Sequence, residues 1–480
     1  MTVLLSDHFE KNLNDLTGLF AGDQTFTVRK VKNRYLPEVK LAVLLSGVMV
    51  GSETVSREII TRLESQRFDP VPAVIRDQVI GGHTVTAERD METAAERICA
   101  GDCVVLIGDY PCCLIAETKG TAQRSNEMPE TEMSLLGPQD GFNENLVSNL
   151  GLVKRRLLTP SFKCEFTVLG RQGRAKAAIC YLQGIVKERT LHLLKKRLKS
   201  VDIDAVLDGN VLAELIRDCP RSVFKTVGKT GRPDVLVSKL LEGRVGVLID
   251  GSPVALTVPY VFAEAFQSPD DYYQNAWYGS VGRVLRWIGF FSSFLIPGLY
   301  LALINFNPAA LPAHWFYTIL AASAGIPIHT VTEMILLFFA FELLREAGSR
   351  MPSGLGLALN IVGAVILGDA AVAGNIVSTP VVIVVAFSGV TGLLVSDLKG
   401  AVIYLRFLSV FSGALFGVPG VFLFLLCVWM SLAGTVSFEV PYLYPLIEKE
   451  GNQDTFYRTF YRNMVYRQRR FSRNLRRKRR

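Results

Sequence analysis

The sequence predicts an α/β cytosolic N-terminal half made of two small related subdomains, followed by an all-α polytopic membrane domain. Three observations predict it. Residues 1–283 read as ordinary globular sequence, whereas residues 284–440 are nearly free of Lys and Asp and hold apolar runs long enough to cross a bilayer. The closing helix, strand and hairpin of one α/β unit recur 142 residues later. Residues 456–480 carry eleven Lys and Arg and no Asp or Glu, the pattern of a cytoplasmic anchor beyond a last apolar segment.

Whole-chain totals hide this division. The 480 residues are 49% hydrophobic and 20% charged, with a mean hydropathy of +0.29, too apolar for a typical soluble enzyme. Removing the eleven tail charges turns the net charge of +8 into −3, so the basicity belongs to the tail and not to the fold. Anionic lipid is the expected partner of such a tail. Nucleic acid, the competing partner, is set aside because the tail follows a membrane domain.

Seven of the eight cysteines lie in the soluble half. Cys99, Cys103, Cys112 and Cys113 admit a metal-site reading, but they fall in an apolar strand-like run with no His nearby. Buried free thiols in a reducing compartment are expected instead, with no metal. The opening MTVLLSDHFEKNLNDL lacks the basic and long apolar regions of a secretory signal, so the N-terminal half is expected to stay in the cytosol.

Residues 1–35 are polar and read as an N-terminal arm. The first cytosolic subdomain, with its linker, covers 36–137. It holds a strand at 41–48, helices at 52–65 and 88–101, and two strands within 103–118 joined by a turn at Gly108–Pro111; 119–137 is an aperiodic linker. The second subdomain covers 138–260, with a hairpin signal around 166–185 and helices at 187–200 and 210–218. Its end repeats the first. Gly101 aligns without a gap to Gly243, and Val105, Leu106, Ile107, Pro111 and Leu114 match Val247, Leu248, Ile249, Pro253 and Leu256. Two generic hairpins would give a similar match, so both explanations stand at this point.

A juxtamembrane connector, 261–283, leads into a helical membrane domain at 284–436. Trp287–Phe306 is the first clear span, flanked by Arg283 and Arg286. His314–Leu344 is broken by Gly325, Pro327 and His329 and suits a re-entrant or broken helix. Gly354–Ala373 is rich in small residues, and Val377–Val395 is a β-branched span. Ala401–Ala433 is too long for one straight crossing and contains Gly413, Gly417, Pro419 and Gly420, so it is kinked or split. With the N-terminal half and the basic tail 437–480 both inside, crossings come in an even number. Four full crossings with further re-entrant segments are expected, and six are compatible.

No catalytic constellation is present: no G-x-S-x-G, no H-E-x-x-H, no C-x-x-C. Gly228-Lys229-Thr230 has the ending of a phosphate-binding loop, but Val223 stands where its first glycine belongs. No enzyme activity, cofactor or metal is therefore expected. The informative residues are polar ones in apolar sequence. Glu333, Glu342, Arg345 and Glu346 lie on one helix, and Glu342, Arg345 and Glu346 share a face. Emergence of the helix end into water would explain Arg345 and Glu346 equally well. Gly354–Ala373 is the pore candidate, with Asn360, Gly363, Val365, Ile366, Gly368 and Asp369 as lining residues. Tight helix packing is its alternative.

Five stretches carry a resemblance: GPQDGFNENLVSNLGLVKRRL (137–157), GRPDVLVSKLLEGRVGVLIDGSP (231–253), FQSPDDYY (266–273), ELLREAGSRMP (342–352) and SFEVPYLYPL (437–446). In order and spacing the chain resembles the A-type subunit of the GerA family of spore germination proteins. The resemblance implies a multi-pass protein of the spore inner membrane, part of a nutrient germinant receptor. It implies a homo-oligomeric ion channel accompanied by a transporter-like B subunit and a lipoprotein C subunit. Three departures stand out: Thr230-Gly231 before the RPD motif, Gly368–Gly374 after the glycine-rich helix, and the strongly basic tail. They fit a non-sensing A-type paralogue expressed with sporulation membrane proteins. A scaffold that conducts nothing is the rival from another class. A secondary transporter ranks lower because the two halves of the membrane region do not match.

Overall fold

Apolar runs in the N-terminal half condense into two antiparallel five-stranded sheets. The computed structural model describes residues 4–80, 84–118, 132, 136–351 and 368–444. The first sheet contains β1 (Phe26–Val31), β2 (Leu41–Ser46), β3 (Val85–Glu88), β4 (Cys103–Ile107) and β5 (Cys113–Ala116), in the order β1-β2-β4-β5-β3. The second contains β6 (Phe162–Leu169), β7 (Ala175–Leu182), β8 (Gly228–Thr230), β9 (Val245–Ile249) and β10 (Ala255–Val258), in the order β6-β7-β9-β10-β8. The two orders are the same within each unit, and so is the register: Val105 faces Leu114 and Val247 faces Leu256. A shared hairpin would not carry the three other strands with it, so the repeat is one of whole subdomains.

Gly101 and Gly243 explain why a glycine recurs. Each follows a helix in left-handed backbone, with φ of 94° and 91°. A Cβ at either would lie 3.0 Å from a backbone oxygen, that of Met49 or Ile185. Both constraints call for glycine.

The central strands β4 and β9 are buried on both faces. Cys103, Val105 and Ile107 join one apolar cluster, and Val104 and Leu106 join another. Helices cover both sides, so these strands read as continuous apolar runs and not as alternation. The polar-arm reading of residues 1–35 is corrected here. Phe9–Leu19 is a helix that buries Phe9, Leu13 and Leu16 on the first sheet, and β1 is an edge strand of that sheet. Three apolar residues at helical spacing make only a narrow stripe among polar neighbours, a weak periodic signal. A buried ion pair ties the units together: Lys154 Nζ lies 2.9 Å from Asp23 and 3.1 Å from Ser46.

Among the described residues, two helices in the C-terminal half are long and apolar enough to cross a membrane, and Thr379–Leu393 is a shorter apolar helix. The first, Ala276–Phe306, starts inside the expected connector, which therefore ends at Asn275, whose side chain caps the helix by accepting from the Trp277 N–H. The region His314–Leu344 is broken as expected, into Ala313–Ser323 and Thr330–Ser349, with Gly325 at φ 88° between them.

Lys399–Gly434 folds back on itself at Gly417, where φ is 64° and ψ is −149°. Past that point the chain is antiparallel to its first arm: a Cβ on Gly420 would collide with the carbonyl of Ser412. Both arms pack on Ala276–Phe306. Ser409 and Gly413 meet Gly298, Gly417 meets Phe306, and on the return Phe424 meets Phe294 with ring centroids 6.0 Å apart. Small residues at the crossing let the backbones touch. The long segment is thus a helical hairpin whose ends, Leu398 and Leu432, join one apolar cluster with Trp287.

Residues 436–444 depart from the tail reading. Strands Val436–Ser437 and Val440–Pro441 form a small hairpin packed on the second subdomain, because Phe438 finds an apolar core there. The basic residues 456–480 lie outside the described residues.

Candidate functional site

Arg406 is the lone charge in the apolar run Ala401–Ala433, and it is 1% exposed. An unpaired guanidinium there would be very costly, so its donors must end on acceptors. Nη1 donates to Glu342 Oε1 at 3.1 Å, Nη2 to the Ser388 carbonyl at 3.0 Å and Nε to the Ser293 carbonyl at 3.3 Å. The guanidinium also sits 4.9 Å from the centroid of the Phe338 ring. Gly392 leaves the room it needs, since a Cβ there would stand 2.9 Å from Nη2. Glu342 is shared with Arg345 one turn further along its helix. One cluster therefore joins Ala276–Phe306, Thr330–Ser349, Thr379–Leu393 and the first arm of the hairpin. A charge-assisted network of this kind holds the four helices in one arrangement, and relative motion has to break several bonds together.

Glu333 occupies a second buried position, 1% exposed. Its Oε2 accepts from the Ser378 N–H and from the Ser378 hydroxyl, each at 2.9 Å. The carboxylate thereby caps the N-terminus of Thr379–Leu393, where a negative charge is favoured. Further along, Phe341 packs on Gly389. The two helices therefore run parallel, and Arg350 and Val377 stand toward opposite ends of the bundle.

Of the four charges singled out from sequence, Glu333, Glu342 and Arg345 are drawn into the bundle. Glu346 instead pairs with Arg350 at 2.7 Å, with both side chains exposed. Asn360, Gly363, Val365 and Ile366 lie outside the described residues. Gly368 and Asp369 open a short helical stretch, 368–373, where Asp369 is exposed and Gly368 has open space around it. Among the described residues no group of three or more His, Cys, Asp or Glu could hold a metal ion. Arg406 was missed in sequence although its signal was simple: a single Arg inside an apolar run.

A third cluster fixes the first long helix to the connector that leads into it from the second subdomain. Asp271 receives Arg283 Nε and Arg286 Nη1 at 2.9 Å each, and Arg286 also donates to the Phe266 carbonyl at 2.6 Å. Burial pushes the Asp271 carboxyl up, but the two guanidinium groups outweigh it and hold it below the usual carboxylate range. Beside it, burial likewise opposes ionisation of Glu264, and Arg244 with Lys239 outweighs it and keeps that carboxyl low.

The family model described as Bacillus/Clostridium GerA spore germination protein matches residues 14–470. The chain belongs to the GerA family. Among its relatives, spore germination protein KA of Bacillus subtilis (strain 168) is 32% identical over 95% of this chain and 85% of that protein. Spore germination protein A1 of the same strain is 36% identical over 74% of this chain and 75% of that protein. The crystal structure of the N-terminal domain of the A subunit of the Bacillus megaterium spore germinant receptor GerK3 aligns with 55% of this chain and 98% of its own, at 21% identity and a TM-score of 0.43.

In this GerA-family chain the residues that carried the resemblance stand at joints. Asp140 pairs with Arg156 at 2.8 Å. Arg232 pairs with Asp234 at 2.8 Å, and Asp234 accepts the Tyr273 hydroxyl at 2.6 Å. Asp271 anchors the first long helix, Glu342 meets Arg406, and Ser437 hydrogen-bonds Thr226.

Proposed function

We propose that the chain is an A subunit of a spore germinant receptor, and that several copies form an ion-conducting channel in the spore inner membrane. Transporter-like B and lipoprotein C subunits detect the nutrient, and the cytosolic subdomains of the A subunit couple that event to ion release. Its relatives' names support a role in spore germination. One observation carries the channel role. The small-residue segment Gly354–Ala373 joins two parallel helices, and the ends it connects, Arg350 and Val377, lie toward opposite ends of the bundle. A segment with that composition and that connectivity suits a narrow apolar constriction repeated around an axis. Asn360, Gly363, Val365, Ile366, Gly368 and Asp369 are its proposed lining. The basic tail adds attraction to anionic lipid on the inner leaflet.

Replacing Val365 or Ile366 with Ala widens such a constriction. Spores carrying either change should release cations without nutrient. If substitutions around the whole face of the segment leave both leak and nutrient response unchanged, it does not line a pore.

The departures at Thr230-Gly231, at Gly368–Gly374 and in the tail favour a second reading, a paralogue that amplifies germination without sensing a nutrient. Deleting the gene separates the two: a receptor subunit abolishes the response to one nutrient class, whereas an amplifier slows the response to all.

A further inference from the structure

We infer that Phe438 is the coupling point through which the second cytosolic subdomain moves the last membrane helix. The inference rests on the channel reading and names a positioning residue for it. Phe438 and Glu439 form the two-residue turn between strands Val436–Ser437 and Val440–Pro441, with φ of 44° and 66°. Two-residue hairpins of this hand normally use Asn or Gly at those positions. Here two larger side chains hold the disfavoured backbone because both are engaged.

The Phe438 ring is fully buried in the apolar core of the second subdomain, beside Leu198, Ile216 and Val245. The Arg197 guanidinium lies over it, 4.4 Å from the centroid. The Phe438 N–H donates to Asp218 Oδ2 at 3.0 Å, and Arg197 grips the other oxygen of Asp218 at 2.6 Å. Glu439 pairs with Arg189 at 2.6 Å. Ser437 donates to the Thr226 carbonyl at 2.7 Å and accepts the Tyr260 N–H at 2.9 Å. Arg189 and Arg197 both belong to the helix Glu188–Ser200, so one cytosolic helix holds the turn on two sides.

On the membrane side there is almost no slack. The returning arm of the helical hairpin ends at Gly434, four residues before Phe438. A shift of helix Glu188–Ser200 is therefore passed to that arm. From there it reaches the Gly417 reversal and the first arm, which carries Arg406. Strain held at such a turn by surrounding contacts is common where a structure switches.

The test compares Phe438→Ala with Phe438→Leu in spores and in purified protein. Phe438→Ala should slow nutrient-triggered cation release at least tenfold at unchanged protein level in the inner membrane, and Phe438→Leu should restore most of it. Hydrogen exchange on the purified protein should show the amides of Tyr260, Phe262 and Phe438 losing protection in Phe438→Ala, while those of Ala276–Phe306 keep theirs. In a Val365→Ala background, the nutrient-independent leak should persist when Phe438→Ala is added, since the pore is intact and only its drive is cut. A normal nutrient response despite lost amide protection overturns the inference. So does loss of the leak together with the response, which would make Phe438 a stability residue only. If Val365→Ala alone produces no leak, the pore reading fails, and the response and exchange arms still decide whether Phe438 couples.

Discussion

Arg406 and Glu342, 64 residues apart in sequence, meet at 3.1 Å inside the helix bundle. Removing Arg406 takes a charged donor from the Ser293 and Ser388 carbonyls, which keep the Ser388 and Thr391 hydroxyls, and leaves Glu342 Oε1 without its partner. Breaking a buried pair typically costs about 3–5 kcal/mol. Arg406→Ala should therefore lower the Tm of the detergent-solubilised protein strongly. Arg406→Lys should recover little, because an ammonium cannot reach three acceptors in a planar fork. Equal Tm values for Arg406→Ala and wild type would show that the cluster is not structural.

Gly417 reverses the last helical segment in a backbone region that is essentially confined to glycine. A Cβ there would also stand 3.0 Å from the Phe306 ring. Gly417→Ala should cost on the order of 1–3 kcal/mol. The change is expected to expose the turn to proteolysis in membranes, read by cleavage near residue 417.

Acid should loosen the joint between the helices and the second subdomain. The folded Asp271 carboxyl sits below its ordinary value of 3.8, so its stabilising contribution is complete above that value and is lost as pH falls through the lower folded pKa. Glu264 acts in the same direction from an ordinary value of 4.5. The Tm should hold from pH 7 to about 5 and drop steeply below about pH 4. Asp271→Asn should lower the plateau and flatten the drop.

Thiol chemistry offers a check on the first subdomain. Burial pushes the Cys103 and Cys113 thiols up to about 12 and Cys99 up to about 11. At pH 8 the thiolate fraction of a group at about 12 is on the order of one in ten thousand. Alkylation followed by mass spectrometry should label the partly exposed Cys112 and Cys219 in the folded protein, and Cys99, Cys103 and Cys113 only after unfolding. Early labelling of Cys103 would contradict the buried position of β4.

The doubled sheet was legible because the match between Gly101 and Gly243 extends into strands whose register it shares. The helix Phe9–Leu19 was not, since three buried residues among polar ones leave a weak periodic signal. Gly413, Gly417, Pro419 and Gly420 marked an interruption of the last helix. Its direction was set by backbone contact with Gly298 and Phe306, which no local pattern encodes. Glu342 and Arg345 stood out as charges in apolar sequence. Their third member, Arg406, takes two of its partners from backbone carbonyls, and those carry no residue signature. Phe438 lay inside a recognised motif, yet its burial in a core built from residues 169–258 depends on tertiary structure alone.

Cation flux through the purified chain in lipid vesicles is the most direct test of the account. Reconstituted wild-type protein should assemble into oligomers, and Val365→Ala and Ile366→Ala should raise flux well above it. Silent vesicles for every variant, or a chain that stays monomeric in the bilayer, would contradict a channel and leave a scaffold.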